Sequence, residues 1–161
     1  MTRLYGRAPR GQRATESVPR NYGTQTSIIS ALSLAGAEAT MTIEGAVDTE
    51  TFNAYIDQVL RPTMRPGDVI VLDNLSAHRA SRLETIAEEC GAQVLWLAPY
   101  SPDCSPIELM WSKIKTKVRA AKARTAGELN DALIAALQLV TRADCFGWFA
   151  HCGYQVTLKC N

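Results

Sequence analysis

The chain is short of several features that would assign it to a class at once. No apolar run approaches the roughly 20 residues needed to cross a bilayer. Its start, Met1-Thr-Arg-Leu-Tyr-Gly-Arg7, holds no hydrophobic stretch of the kind a secretion signal requires. The expectation is a soluble protein of the bacterial cytoplasm with no membrane partner. Cysteine is present but unpatterned: Cys90, Cys104, Cys145, Cys152 and Cys160 include no Cys-x-x-Cys pair. An odd, scattered set argues against a disulfide framework and against a zinc site of standard spacing. His151 beside Cys152 reads as chance proximity in a reducing compartment. Repeats and internal linkers are also missing, so the 161 residues are expected to form one domain.

What is present is a core and a segregated charge. Hydrophobic residues make up 47% and charged residues 20%, enough apolar surface to fold and too little charge for wholesale disorder. The formal net charge is only +1. Residues 1–20, however, carry Arg3, Arg7, Arg10, Arg13 and Arg20 against Glu16 alone. Residues 111–124 carry Lys113, Lys115, Lys117, Arg119, Lys122 and Arg124 with no acid. Two basic segments on an otherwise acidic body suit contact with phosphate; solvated surface is the plain alternative.

Periodicity orders the elements. Residues 24–34 alternate as a strand, Ala35-Gly36 turns, and Glu38–Glu44 alternates again, which predicts a hairpin. Asp48 is an N-cap candidate for a helix burying Phe52, Tyr55, Ile56, Val59 and Leu60. Val69–Leu72 and Val94–Leu97 are unbroken apolar runs, predicted to be strands covered on both faces. Between them a helix shows Leu83, Ile86, Ala87 and Cys90 on one side and stops at Gly91. Pro106 opens a helix with Ile107, Met110, Trp111, Ile114, Val118 and Ala121 as its buried stripe. Thr125-x-x-Glu128 is a capping box for a further helix burying Leu129, Leu133, Ala136, Leu137 and Val140. After Thr141 the pattern is weak. Strand–helix–strand order implies a parallel part and the hairpin an antiparallel part, so the fold class is α/β, a mixed sheet flanked by helices.

Two acids stand where chemistry collects. Asp73 follows Val69–Leu72 directly, at the C-terminal edge where ligands of open α/β sheets bind, although acids also cap turns there. Glu108 sits in the first turn of its helix, where the dipole alone favours an acid. At helical spacing Glu108, Ser112, Lys115, Arg119 and Lys122 fall along one stripe, opposite the apolar one, which suits a metal ligand at the head of a phosphate track.

The segments Val71-Leu-Asp73-Asn74-Leu-Ser-Ala-His78-Arg79 and Pro99-Tyr-Ser-Pro-Asp-Cys-Ser-Pro-Ile-Glu108-Leu-Met-Trp-Ser-Lys113, with 34 residues between the two acids, resemble the second and third acidic motifs of mariner-superfamily insertion-sequence transposases. Cys104-Ser105 is a mild departure from the usual residues before Pro106. Gly6-Arg-Ala-Pro-Arg-Gly-Gln12 resembles the family's basic segment. The resemblance implies a ribonuclease-H-like, integrase-like fold and a DDE site in which three carboxylates hold two Mg²⁺ or Mn²⁺ ions. It implies Asp73 and Glu108 as catalytic metal ligands. Asn74 reads first as a hydrogen-bonding turn residue and second as a group behind the site that reaches the scissile phosphate; His78 reads either as a group near the metals or as an ordinary helix-start histidine. Arg7, Arg10, Arg13, Lys115, Arg119 and Lys122 would contact DNA, both element ends and target, in a protein that acts as a homodimer on the nucleoid.

The family's first acid lies on the first strand, just ahead of the basic segment. That segment begins here at residue 6, so the first strand, its Asp and the helix-turn-helix domains are expected to be missing from this chain. Two readings follow: a transposase catalytic domain for DNA cleavage and strand transfer, inactive alone as given, or a non-catalytic remnant that binds DNA or pairs with an intact transposase. A third, an unrelated metal-dependent nuclease or phosphatase, also puts Asp73 at a strand end but leaves the Pro-rich motif unexplained.

Overall fold

A computed structural model describes residues 6–15, 25–79, 82–99 and 101–156. Strand β1 (Thr26–Leu32) pairs antiparallel with β2 (Ala37–Glu44) across a turn closed by Ser33 and Gly36. The register slips between Ile29 and Ala31, opposite Ala39, whose φ of 46° marks a bulge. Helix α1 (Thr49–Tyr55) begins as expected on Asp48, whose carboxylate accepts from Thr51 N–H at 2.8 Å. It loosens into a π turn over Ile56–Leu60 and a 3₁₀ turn over Arg61–Thr63, where Pro62 stops it. Strands β3 (Val69–Leu72) and β4 (Gln93–Trp96) pair in parallel. The crossover between them holds α2 (Ser76–Arg79) and α3 (Leu83–Glu89). Gly91 ends that crossover with φ of 72°, and a Cβ there would stand 3.3 Å from Pro66 Cβ, so glycine is required on both counts. Helices α4 (Pro106–Ala121), α5 (Ala126–Gln138) and α6 (Arg142–His151) complete the chain.

Two apolar clusters place these elements in layers. Phe52, Tyr55, Ile56, Leu60, Leu83 and Ile86 form one, and Ile29, Ala31 and Met41 of the hairpin and Ile70, Leu72 and Val94 of the parallel pair all lie on it. Met110, Ile114, Val118, Leu133 and Ala136 form the other, which takes the opposite face of the hairpin through Ile28, Leu32 and Ala37. Strand β1 is thus sandwiched between helical layers, its alternate side chains feeding two cores.

The antiparallel and parallel parts of the expected mixed sheet are both present, as two separate two-stranded sheets among the described residues. The expectation that β3 and β4 are covered on both faces is corrected. Val69 is 56% and Leu95 51% exposed, because α4 spends its apolar stripe on the hairpin and on α5 and only one face of the parallel pair meets a helical layer. Ala121 is likewise exposed: the helix ends there, and Lys122 caps it in the left-handed conformation, φ 54°.

Helix α6 was not foreseen. Thr141 and Asp144 form a reciprocal capping box at its start, and it turns 75° away from α5. Its anchor is ionic: Lys113 on α4 donates to Asp144 Oδ2 at 2.6 Å and to the Leu139 carbonyl at 2.7 Å. The lysine, with help from Thr141, lowers the Asp144 pKa from 3.8 to about 2. A depressed carboxylate contributes stability that is complete above its unfolded pKa and disappears as pH falls through the folded one. Stability is therefore expected to drop between about pH 4 and pH 2 by on the order of 1 kcal/mol from this pair, since both side chains are about a quarter exposed and water screens them. Urea midpoints measured across that window should show the drop in the parent protein and a smaller one in Asp144→Asn.

Candidate active site at the exit of the parallel strands

The parallel ladder runs one residue beyond β4: Leu97 N–H donates to the Leu72 carbonyl at 2.9 Å. Asp73 therefore leaves the sheet beside Leu97, the residue that leads into the proline-rich loop and on to Glu108. Both acid-bearing segments start from one edge, the C-terminal edge of a parallel pair, where backbone ends leave room for a ligand.

Asp73 is 56% exposed. Its Oδ1 accepts from Leu75 N–H at 3.2 Å and meets His78 Nδ1 at 2.8 Å. These contacts orient the carboxylate through one oxygen, Oδ1, of a side chain that stays largely exposed. His78 is itself held, its ring lying against Phe52 with centroids 4.4 Å apart. The first core thus reaches the carboxylate through one imidazole.

Asn74 performs a different task. Its Nδ2 donates to the Leu97 carbonyl, and its Oδ1 accepts from Arg79 Nε at 2.7 Å and from Arg79 Nη2. The Arg79 guanidinium lies 4.4 Å over the Trp96 ring, and Trp96 Nε1 donates to Glu84 at 2.6 Å. A chain of side-chain contacts therefore runs from the residue after Asp73, across the exits of both strands, to α3. Asn74 is thus tied into the fold, and its supports Arg79 and Trp96 were not singled out in the sequence. The available signal was weak: an arginine five positions on, and a tryptophan ending the neighbouring strand.

Glu108 is exposed in the first turn of α4, with N–H bonded to the Ser105 carbonyl at 3.1 Å. Along the same helix Ser112, Lys115 and Arg119 are exposed too, on the side away from buried Met110, Ile114 and Val118. Lys122 departs from this row, because its left-handed backbone breaks the helical spacing that placed it there. Lys113, counted among the charges of the basic segment, is engaged with Asp144. Arg7, Arg10 and Arg13 are exposed on an irregular segment with a turn at Pro9–Gln12. Arg3, Glu16, Arg20 and Cys160 lie outside the described residues.

Among the described residues no three acidic, histidine or cysteine side chains gather closely enough to hold an ion. The donors that Asp73 and Glu108 offer are exposed carboxylate oxygens, the hard type that suits Mg²⁺ or Mn²⁺ and not a softer metal. No single helix among them is long and apolar enough to cross a membrane.

The family model described as "DDE superfamily endonuclease" matches residues 1–130. Among solved structures, the chain is similar to one in the Mos1 transposase paired-end complex with left transposon end, at 17% identity and a TM-score of 0.71, over 92% of this chain and 47% of that one. It is similar as well to chains of the Mos1 strand transfer complex (16%, 0.69, 94% and 46%) and of a pre-cleavage Mos1 transpososome (15%, 0.69, 97% and 53%). At such identities the likeness is one of fold, and it agrees with the ribonuclease-H-like arrangement. The chain spans about half the length of those it resembles. No curated protein matches its sequence.

Removing the Asn74 amide leaves the Leu97 carbonyl and the Arg79 guanidinium without their partner. Asn74→Ala is expected to destabilise the fold by about 1–2 kcal/mol, read from chemical denaturation. Tryptophan fluorescence should shift as Arg79 leaves the Trp96 ring. Stability and fluorescence both unchanged would show that these bonds carry no weight.

Proposed function

Because this chain belongs to the DDE superfamily of endonucleases, we propose that it is the catalytic domain of an insertion-sequence transposase, cutting and joining DNA strands with Asp73 and Glu108 as metal ligands. The observation that carries the reading is the shared exit: Asp73 stands open at the C-terminal edge of β3, and the neighbouring strand leaves beside it toward Glu108. The fold likeness to chains captured in transposase complexes supports it.

In this reading Asp73 and Glu108 hold divalent ions, Mg²⁺ or Mn²⁺. Those ions supply the clamp on attacking and leaving oxygens that an in-line phosphoryl displacement needs. The chain's own side chains do the placing. His78 and the Leu75 N–H fix Asp73 Oδ1 and so hold an exposed carboxylate in one orientation. Lys115 and Arg119, one helical turn apart and downstream of Glu108, lie against backbone phosphates and set the path of a strand toward the carboxylates. Arg7, Arg10 and Arg13 add affinity without sequence choice. Two carboxylates do not complete a two-metal site, so a further one must join them when DNA is cut. The expected assembly is a homodimer holding element ends and target.

The absence of a three-ligand cluster among the described residues favours a second reading, a domain that binds DNA without cutting it. One pair of measurements separates the two. Asp73→Ala and Glu108→Ala, placed in the intact protein, are each expected to reduce Mg²⁺-dependent cleavage of a labelled element end by at least about 10³-fold while duplex affinity holds. Cleavage that survives both changes sinks the enzyme reading. Reversing charge at Lys115 and Arg119 should weaken binding to duplexes of any sequence and lower the salt slope by about one for each phosphate no longer neutralised. An unaltered slope would make the row ordinary solvated surface.

A further inference from the structure

The segment carrying Glu108 has few restraints of its own. A 3₁₀ turn, Pro102–Cys104, precedes α4, and all three of its residues are exposed. Ser105 occupies the N-cap but makes no side-chain capping bond, and Pro106 has no N–H to offer. A helix whose first turn is held so lightly would leave its acid mobile.

Tyr154 supplies a restraint from 50 positions away. Its hydroxyl donates to the Cys104 carbonyl at 2.9 Å. The tyrosine is braced in turn: its ring meets Phe149 edge-on at 5.6 Å, and its N–H bonds the Phe149 carbonyl at 3.0 Å. Phe149 belongs to α6, which is fastened to α4 by Lys113 and Asp144 and by Trp148 on the second core. The C-terminal element thus grips the helix on both sides of Glu108, at Cys104 before it and at Lys113 after it. It lies beyond the residues matched by the family model.

We propose that α6 and Tyr154 form a strap that positions Glu108, with the Tyr154–Cys104 hydrogen bond as its clasp. The proposal rests on the reading of Glu108 as a metal ligand, and makes Tyr154 a positioning residue that touches neither metal nor DNA. A tyrosine hydroxyl is protonated and able to donate at neutral pH, and desolvation raises the Tyr154 pKa further from that range.

Tyr154→Phe removes the clasp and keeps the ring, and two measurements on the intact protein test it. Amide exchange without metal or DNA should quicken about 5–10-fold at Cys104, Ser105 and Glu108, as the loss of one hydrogen bond converts at a factor of ten per 1.4 kcal/mol. Amides of α5 should be unaffected. In Mg²⁺-dependent cleavage of an element end, the same variant should lower kcat several-fold and raise the Mg²⁺ concentration for half-maximal rate, with KM for DNA unchanged. Tyr154→Ala should exaggerate both effects. Unchanged exchange overturns the strap itself. Faster exchange with unchanged kcat and Mg²⁺ dependence reduces Tyr154 to a structural role and overturns the positioning claim. No cleavage by the unaltered protein overturns the functional reading and the positioning claim with it, whatever the exchange shows.

Discussion

Strands that run parallel must leave their sheet at the same edge, and the rest of the candidate site depends on that constraint. An antiparallel neighbour would have carried the chain from Leu97 away from Asp73. Parallel pairing of Val69–Leu72 with Gln93–Trp96 instead sets the two strand exits, one at Asp73 and one leading on toward Glu108, side by side. Asn74 then ties the two exits together, and Arg79, Trp96 and Glu84 tie that knot to α3. Burial alone would not achieve this, since apolar packing is indifferent to small displacements along a strand. Directional bonds to a single carbonyl, that of Leu97, are not.

The fold around this edge is unequally covered. The hairpin feeds two helical layers, whereas the parallel pair contacts one and shows Val69 and Leu95 to solvent. The two sheets rest on the same core yet share no backbone pairing among the described residues, so each has an edge free of ladder bonds. Such edges and such a face are the least stable parts of an α/β domain. The site is nonetheless built beside them, on residues pinned by side-chain bonds and not by sheet continuity.

How far the sequence revealed this depends on how local the signal was. The capping box at Thr125, the N-cap at Asp48, the Gly91 stop and the apolar stripe of Met110, Ile114 and Val118 are each written within a short local stretch, and each was legible. Asp73 and Glu108 stood out as candidates because their neighbourhoods form motifs. Contacts between distant segments were not. Nothing near Lys113 announces Asp144, and nothing near Cys104 announces Tyr154. Helix α6 escaped because Asp144 replaces the usual glutamate of a capping box, Gly147 lowers the helix propensity at its middle, and no clean apolar stripe runs along it. The two-sided burial read from Val69–Leu72 failed for a related reason: an apolar run reports what a strand tolerates, and the packing partner decides what it receives.

Helix α4 shows how one element reconciles these demands. Its apolar face is committed to the second core and its charged face to solvent, which leaves its N-terminal turn to present Glu108. A lysine on a basic helix would ordinarily join the exposed row of charges. Lys113 does not, because the adjacent face meets α6, and an unpaired ammonium at that junction would be costly without Asp144. The charge withdrawn from the row is therefore used to fix the helix that bears it. Lys115 and Arg119, free of that duty, stand on a track whose position relative to Glu108 is set by the same helix backbone. Glu108, the exposed Lys115 and Arg119, and the Lys113 anchor are thus carried by one helix, so the contacts that place that helix bear on all of them.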